Sequence, residues 1–88
     1  MRKLVSSASF NSKFRKFLKN HSDLEKKTKK AFELLSKDVF SSQLKTHKLS
    51  GGLRMFYGAD INFQYRIVFG FDNENVYLIN IGSHDEVY

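Results

Sequence analysis

The sequence predicts an α+β domain: two N-terminal helices packed on one face of a three- or four-stranded, mainly antiparallel sheet, with an N-terminal edge strand available at Lys3–Ser6. Apolar residues recur at helical spacing before Ser50-Gly51-Gly52 and at a period of two after it. That glycine pair is the one flexible break in a chain without proline. Nine Phe and four Tyr in 88 residues supply enough bulk for a single core, so residues 1–88 form one domain.

Each element follows from local pattern. Phe10, Phe14, Phe17 and Leu18 share one face of a first helix over residues 8–20, with Lys13, Lys16 and Lys19 turned largely away. His21-Ser22 interrupts the pattern. Ser22 with Glu25 three residues on has the form of a capping box, so a second helix should start there and run to about Asp38. Leu24, Thr28, Ala31 and Leu35 trace its buried stripe, and Glu25–Lys29 and Glu33–Lys37 pair at four-residue spacing on its exposed side. Beyond the glycines, Leu53–Tyr57 and Ile61–Phe69 alternate as strands, the latter with Ile61, Phe63, Tyr65, Ile67 and Phe69 on one side and Asn62, Gln64 and Arg66 on the other. Asp72-Asn-Glu-Asn75 is a turn, and Val76–Gly82 returns as a third strand of a meander.

Charge and composition narrow the function. Residues 1–50 hold 13 Lys or Arg against 4 acids, a balance of +9, whereas residues 51–88 hold 2 against 5, a balance of −3. A basic front of this size fits a polyanionic partner, RNA or DNA before others, and it equally fits a lysine-rich solvated helix face. The absence of Cys excludes disulfides and thiolate chemistry, and three scattered His make a poor metal cluster, so no metal and no cofactor are expected. No apolar run reaches the roughly 20 residues of a membrane span, and the first residues lack the apolar stretch of a secretory signal. A cytoplasmic protein with no membrane partner is the expectation.

Three places carry residues with chemical potential. Arg66 on a sheet face offers a planar fork that binds phosphate at two points and keeps its charge at any working pH. His47 sits between lysines in Leu44-Lys-Thr-His-Lys-Leu49. The C-terminal Gly82-Ser-His-Asp-Glu-Val-Tyr88 gathers an imidazole, two carboxylates and a phenol directly after a strand. An imidazole donates or accepts protons near neutrality, and a terminal aromatic can stack on a base. Ordinary surface roles, or a frayed polar terminus, would explain each of the three taken alone.

Taken in order, Leu44-Lys-Thr-His-Lys-Leu-Ser-Gly51, Tyr65-Arg-Ile-Val-Phe69 and Ile81-Gly-Ser-His-Asp-Glu-Val-Tyr88 resemble the RelE/ParE superfamily of type II toxins, above all the RelE and YafQ-like mRNA interferases. The resemblance runs over nearly the whole chain, with its specificity in Thr-His-Lys-Leu, Tyr-Arg-Ile-Val-Phe and the closing motif. It implies a RelE-like fold and a toxin that enters the ribosomal A site and cleaves mRNA. It also implies a cognate antitoxin that silences the toxin by wrapping around it, so the implied partners are that antitoxin, the ribosome with its rRNA, and mRNA. Position by position, the resemblance gives His84 a proton-transfer role as general acid, Tyr88 substrate contact, His47 a place in the active site and Arg66 neutralisation of the scissile phosphate. YafQ-like members carry a further histidine and an aspartate before the central strand, where Asp60 and Gln64 are the nearest polar residues here. Asn80 stands where some members have arginine.

The same set satisfies the chemistry of RNA cleavage through a 2′-hydroxyl, which needs a base, an acid and fixed positive charge at the phosphorus. His47 is then the base, His84 the acid, Arg66 the clamp, and Tyr88 a stacking or hydrogen-bonding group. Lys45, Lys48, Arg54 and Gln64, with the helix lysines, are candidates for RNA contact. Two alternatives stay open: a ParE-like gyrase inhibitor and a non-catalytic RNA-binding module of the same fold.

Overall fold

The computed structural model describes residues 1–88, in the order β1 (Lys3–Ser6), α1 (Ala8–Asn20), α2 (Glu25–Lys37), β2 (His47–Lys48), β3 (Tyr57–Asp60), β4 (Tyr65–Phe71), β5 (Asn75–Ser83) and α3 (His84–Val87). Short 3-10 turns at Ser22–Leu24, Ser42–Leu44 and Gly51–Leu53 join them. The five strands form one mixed sheet in the order β1-β5-β4-β3-β2, in which only the β1–β5 pair is parallel. The class is the expected α+β, with one strand more than expected, because His47–Lys48 pair with Tyr57–Gly58.

Both long helices form where their periodicity places them. Ser7, in extended conformation, accepts the Phe10 amide on its hydroxyl at 3.1 Å and so caps α1. The α1 face buries Phe10 and Phe17, with Phe14 and Leu18 packed partly against the core. On α2 the stripe Leu24, Thr28, Ala31 and Leu35 is buried, and the Thr28 hydroxyl, fully enclosed, donates to the Leu24 carbonyl at 2.8 Å. Glu25–Lys29 and Glu33–Lys37 close on the exposed side at 3.3 and 3.0 Å. These helices cover the sheet face made by Ala59, Ile67, Phe69, Val76, Leu78 and Ile81, completing one core.

Three sequence expectations need correction. The Ser22–Glu25 capping box does not form: Ser22 lies inside a 3-10 turn, no side chain caps either segment, and α2 begins at Glu25. The strand expected at Leu53–Tyr57 occupies Tyr57–Asp60, since residues 51–53 turn through a 3-10 segment that starts at Gly51 with φ 65°. The strand expected from Ile61 begins at Tyr65. Asn62 Oδ1 captures the Gln64 and Tyr65 amides at 2.9 and 2.8 Å, which bends residues 61–64 into the β3–β4 turn and leaves Phe63 86% exposed. The turn at Asp72 forms in the same way, its Oδ1 accepting from the Glu74 and Asn75 amides. No helix is long and apolar enough to cross a membrane.

Candidate active site on the open sheet face

Side chains of paired residues in a sheet point to the same face, and alternate residues along a strand do too. The register His47↔Gly58↔Val68↔Asn80, with Asp60↔Arg66↔Gly82 in the next row, therefore places all seven on the face opposite the long helices. The four-residue α3 lies against this face. It is started by a complete capping box: the Ser83 hydroxyl accepts from the Glu86 amide at 3.3 Å, and Glu86 Oε1 accepts from the Ser83 amide at 2.8 Å. Gly82 lets the helix lie close, because a Cβ there would meet Glu86 and Val87 side-chain atoms at 3.2–3.3 Å. Val87 and Val68 are buried on this side, outside the main core.

Four positions apart, His84 and Tyr88 lie one turn from each other at the two ends of α3. Their rings meet edge to face with centroids 4.6 Å apart. The Tyr88 ring also meets His47 edge to face at 6.1 Å, and its hydroxyl lies 3.2 Å from His47 Nε2. Lys45, the one non-glycine residue with positive φ (48°), turns its carbonyl to His47 Nδ1 at 3.2 Å. With Nδ1–H donating to that carbonyl, Nε2 is left to accept from the Tyr88 hydroxyl, an assignment made from the hydrogen-bond network. Two imidazoles 37 positions apart in the chain thus gather on one phenol. They border an open cleft of about 700 Å³ between residues 47–53 on one side and His84 and Tyr88 on the other.

Arg66 stands on the same face, its side chain 18% exposed, with Nε 3.4 Å from Asp60 Oδ1 and Nη1 donating to the carbonyls of Asn62 and Phe63 at 3.4 and 3.2 Å. Its charge reaches the site. Burial pushes the Tyr88 phenol above the ordinary tyrosine value, the Arg66 guanidinium opposes the shift, and Asp60 reinforces it. Tyr88 is consequently protonated and a hydrogen-bond donor at neutral pH.

Of the candidates for RNA contact, Lys48 borders the cleft, and exposed Lys45 orients His47 through its backbone. Exposed Arg54 follows directly on the cleft segment, while Gln64 sits at the β3–β4 turn, away from the cleft lining. Asn80 folds back so that its Oδ1 accepts from the Ile81 amide, and it lines a second, smaller groove of about 280 Å³ with Lys13, Lys16, His21 and Glu86. Two features absent from the sequence expectations help build the site. Gly58 is an isolated glycine within a strand, a signal for close approach by another group. Ser83-x-x-Glu86 is a capping signature in plain view.

The chain's similarities agree with this architecture. The family model described as "Bacterial toxin of type II toxin-antitoxin system, YafQ" matches residues 2–88. The crystal structure of YafQ from E. coli superposes with a TM-score of 0.84 at 17% identity, covering 100% of this chain and 99% of that one. YafQ in the E. coli DinJ–YafQ toxin–antitoxin complex gives 0.82 at 18%, covering 99% and 97%. A copper-bound mutant toxin from Helicobacter pylori gives 0.78 at 27%, covering all of both chains. No curated protein sequence matches the chain.

Proposed function

The chain belongs to the YafQ family of bacterial toxins of type II toxin–antitoxin systems, and from that premise we propose that it is a ribosome-dependent mRNA endoribonuclease acting in the A site. The observation that carries the proposal is the convergence of His47 and His84 on Tyr88 beside an open cleft, with Arg66 on the same sheet face. A lone surface histidine has no need of such company.

The reaction uses the RNA's own 2′-hydroxyl. His47 Nε2, held in the accepting tautomer by the Lys45 carbonyl and the Tyr88 hydroxyl together, takes the 2′-proton, and the freed oxygen attacks the adjacent phosphorus. Arg66 supplies fixed positive charge as the phosphorane develops, and Asp60 keeps its fork oriented. The bond from phosphorus to the 5′ oxygen breaks, and His84 protonates that leaving oxygen, giving a 2′,3′-cyclic phosphate and a 5′-hydroxyl. Tyr88 supplies a ring for base stacking and a hydroxyl for hydrogen bonding. Lys45, Lys48, Arg54 and Gln64 are available to the mRNA and rRNA backbones around the cleft. An acidic antitoxin segment that folds on binding would complement the basic N-terminal half, in keeping with the antitoxin complex of the E. coli relative.

The test is to induce the protein in cells and map mRNA ends, then to repeat the experiment with His84→Gln and His47→Gln. Cleavage at A-site codons that disappears in both variants supports the proposal. Induced DNA damage without mRNA cleavage would identify a gyrase inhibitor of the same fold, and RNA binding without cleavage a non-catalytic module; either result overturns it.

A further inference from the structure

Gly58 lies at the centre of β3, directly opposite His47 in the ladder, and is buried. Its backbone does not require glycine: Gly51 is the one glycine with positive φ, and residue 58 sits in an ordinary strand that any residue could occupy. Space is what a side chain lacks: it could enter only if the Tyr88 hydroxyl moved aside. A Cβ at this position would run into the Tyr88 hydroxyl, and it would stand 3.1 Å from His47 Cε1 and 3.2 Å from Nε2. The missing methyl therefore coincides with the place where the phenol and the imidazole meet.

We propose that Gly58 is a positioning residue for RNA cleavage: by presenting bare backbone beneath the Tyr88–His47 hydrogen bond, it allows the terminal phenol to reach His47 Nε2 and hold the ring. This inference rests on the nuclease proposal for its catalytic consequence, while its geometric content stands in the free protein. His47 is exposed, on a two-residue strand that contributes little restraint of its own. Its ring makes two hydrogen bonds, one from Nδ1 to the Lys45 carbonyl and one at Nε2 with the Tyr88 hydroxyl. Removing one of them frees the ring to rotate. Burial keeps the Tyr88 proton in place to make that bond. The phenol also occupies the side of Nε2 from which a substrate hydroxyl would approach. The contact thus pre-sets the direction in which the base points before RNA enters and exchanges its own hydroxyl for the substrate's.

The experiment compares the unaltered protein, Gly58→Ala, Tyr88→Phe and the double variant. Thermal melting reports the fold, two-bond proton–nitrogen spectra report the His47 tautomer, and mRNA cleavage on ribosomes reports activity. Gly58→Ala should keep the fold, lose the single His47 tautomer, and cut about 10²-fold more slowly, the loss expected of a misplacement near 1 Å. In the Tyr88→Phe background the colliding oxygen is gone and the exposed His47 ring can yield by the few tenths of an ångström required. There the same alanine should cost nothing further in any of the three measurements.

If Gly58→Ala fails to fold, the double variant should fold; unfolding of both overturns the proposal. It is also overturned if Gly58→Ala keeps the His47 tautomer, or if the alanine lowers cleavage by the same factor with and without the Tyr88 hydroxyl. Should the unaltered protein not cleave RNA, the nuclease proposal fails. The spectra then decide the geometric claim alone: a His47 tautomer lost in Gly58→Ala supports it, and one retained overturns it.

Discussion

The two faces of the sheet are built from the same strands on opposite rules. Along β4, Ile67 and Phe69 are fully enclosed beneath α1 and α2, while Arg66, between Tyr65 and Ile67, points the other way and pairs with Asp60 and the Asn62 and Phe63 carbonyls. Along β5, Leu78 and Ile81 join the core, while Asn80 and Gly82 face the side covered by a single turn of helix. Strand parity, switched once by the bulge at Ile79 in β5, thus separates the apolar core from the polar candidate site within one layer. Variants on the helix-covered face should change melting in step with packing, and variants on the open face should change activity while melting stays put.

Phe69→Ala makes the largest expected difference on the covered side. Its ring is fully buried and packs against Tyr57 and Phe71 with centroids at 5.9 and 6.2 Å. Its loss should cost about 3–5 kcal/mol, enough to threaten folding of so small a domain. Urea or thermal unfolding measures this, and a melting curve superimposable on that of the unaltered protein would break the comparison. His84→Gln is the counterpart on the open side. The imidazole is exposed, so melting should not move, while mRNA cleavage should fall by about 10²–10⁴-fold. A variant that loses activity only because it loses structure would show that the two faces are not independent.

The difference between the faces also explains what the sequence could disclose. Helix positions were legible because a buried stripe repeats: Phe10 and Phe17, then Leu24, Thr28, Ala31 and Leu35, register the same core from two directions. Strand ends were not, because a side-chain hydrogen bond decides them. Asn62 takes two amides into a turn that the alternation of Ile61, Phe63 and Tyr65 argued against. The serine caps show the limit well. Ser22 and Ser83 are each followed by Glu three residues on. Ser83 leaves a strand with φ −69° and ψ 164°, which aims its hydroxyl at the new helix, whereas Ser22 is already turning in a 3-10 segment. The two signatures share the same Ser-x-x-Glu spacing and differ in the conformation the preceding element delivers.

The candidate site was legible in part for a similar reason. His84 and Tyr88 sit four apart, a local relation, and Arg66 lies within a strong strand pattern. What brings His47 to Tyr88 is a contact across 41 residues, made by the β2–β3 pairing and permitted by a glycine. No local periodicity encodes that. Ser83→Ala sharpens the point at smaller amplitude. Loss of the cap should cost about 1 kcal/mol. Because both His84 and Tyr88 ride on α3, cleavage should fall measurably, though less than in His84→Gln, with the core amides unaffected. Hydrogen exchange resolves the two regions, and equal loss of protection in α1 and α3 would contradict the separation.

The smallest expected effect is one of pH, and it too should be confined to the open face. Glu86 has its carboxyl held below the ordinary 4.5, first by the Ser83 amide and then by the Ser83 hydroxyl, with the positive charges of His21 and Lys16 adding to the pull. A carboxylate whose folded value is depressed stabilises the fold above its ordinary range and ceases to do so as pH falls through the folded value. Acidification through that window should therefore loosen α3 before it disturbs the helices on the covered face. Glu86→Gln should remove the acid sensitivity of α3 exchange while leaving α1 and α2 unchanged at neutral pH. Since Glu86 is exposed, salt and water screen the effect, which calls for a local probe rather than a melting temperature. If α3 and the core lose protection over the same pH interval in both proteins, the carboxylate is not what holds the last turn. The docking of His84 and Tyr88 would then have to rest on Val87 and Gly82 packing alone.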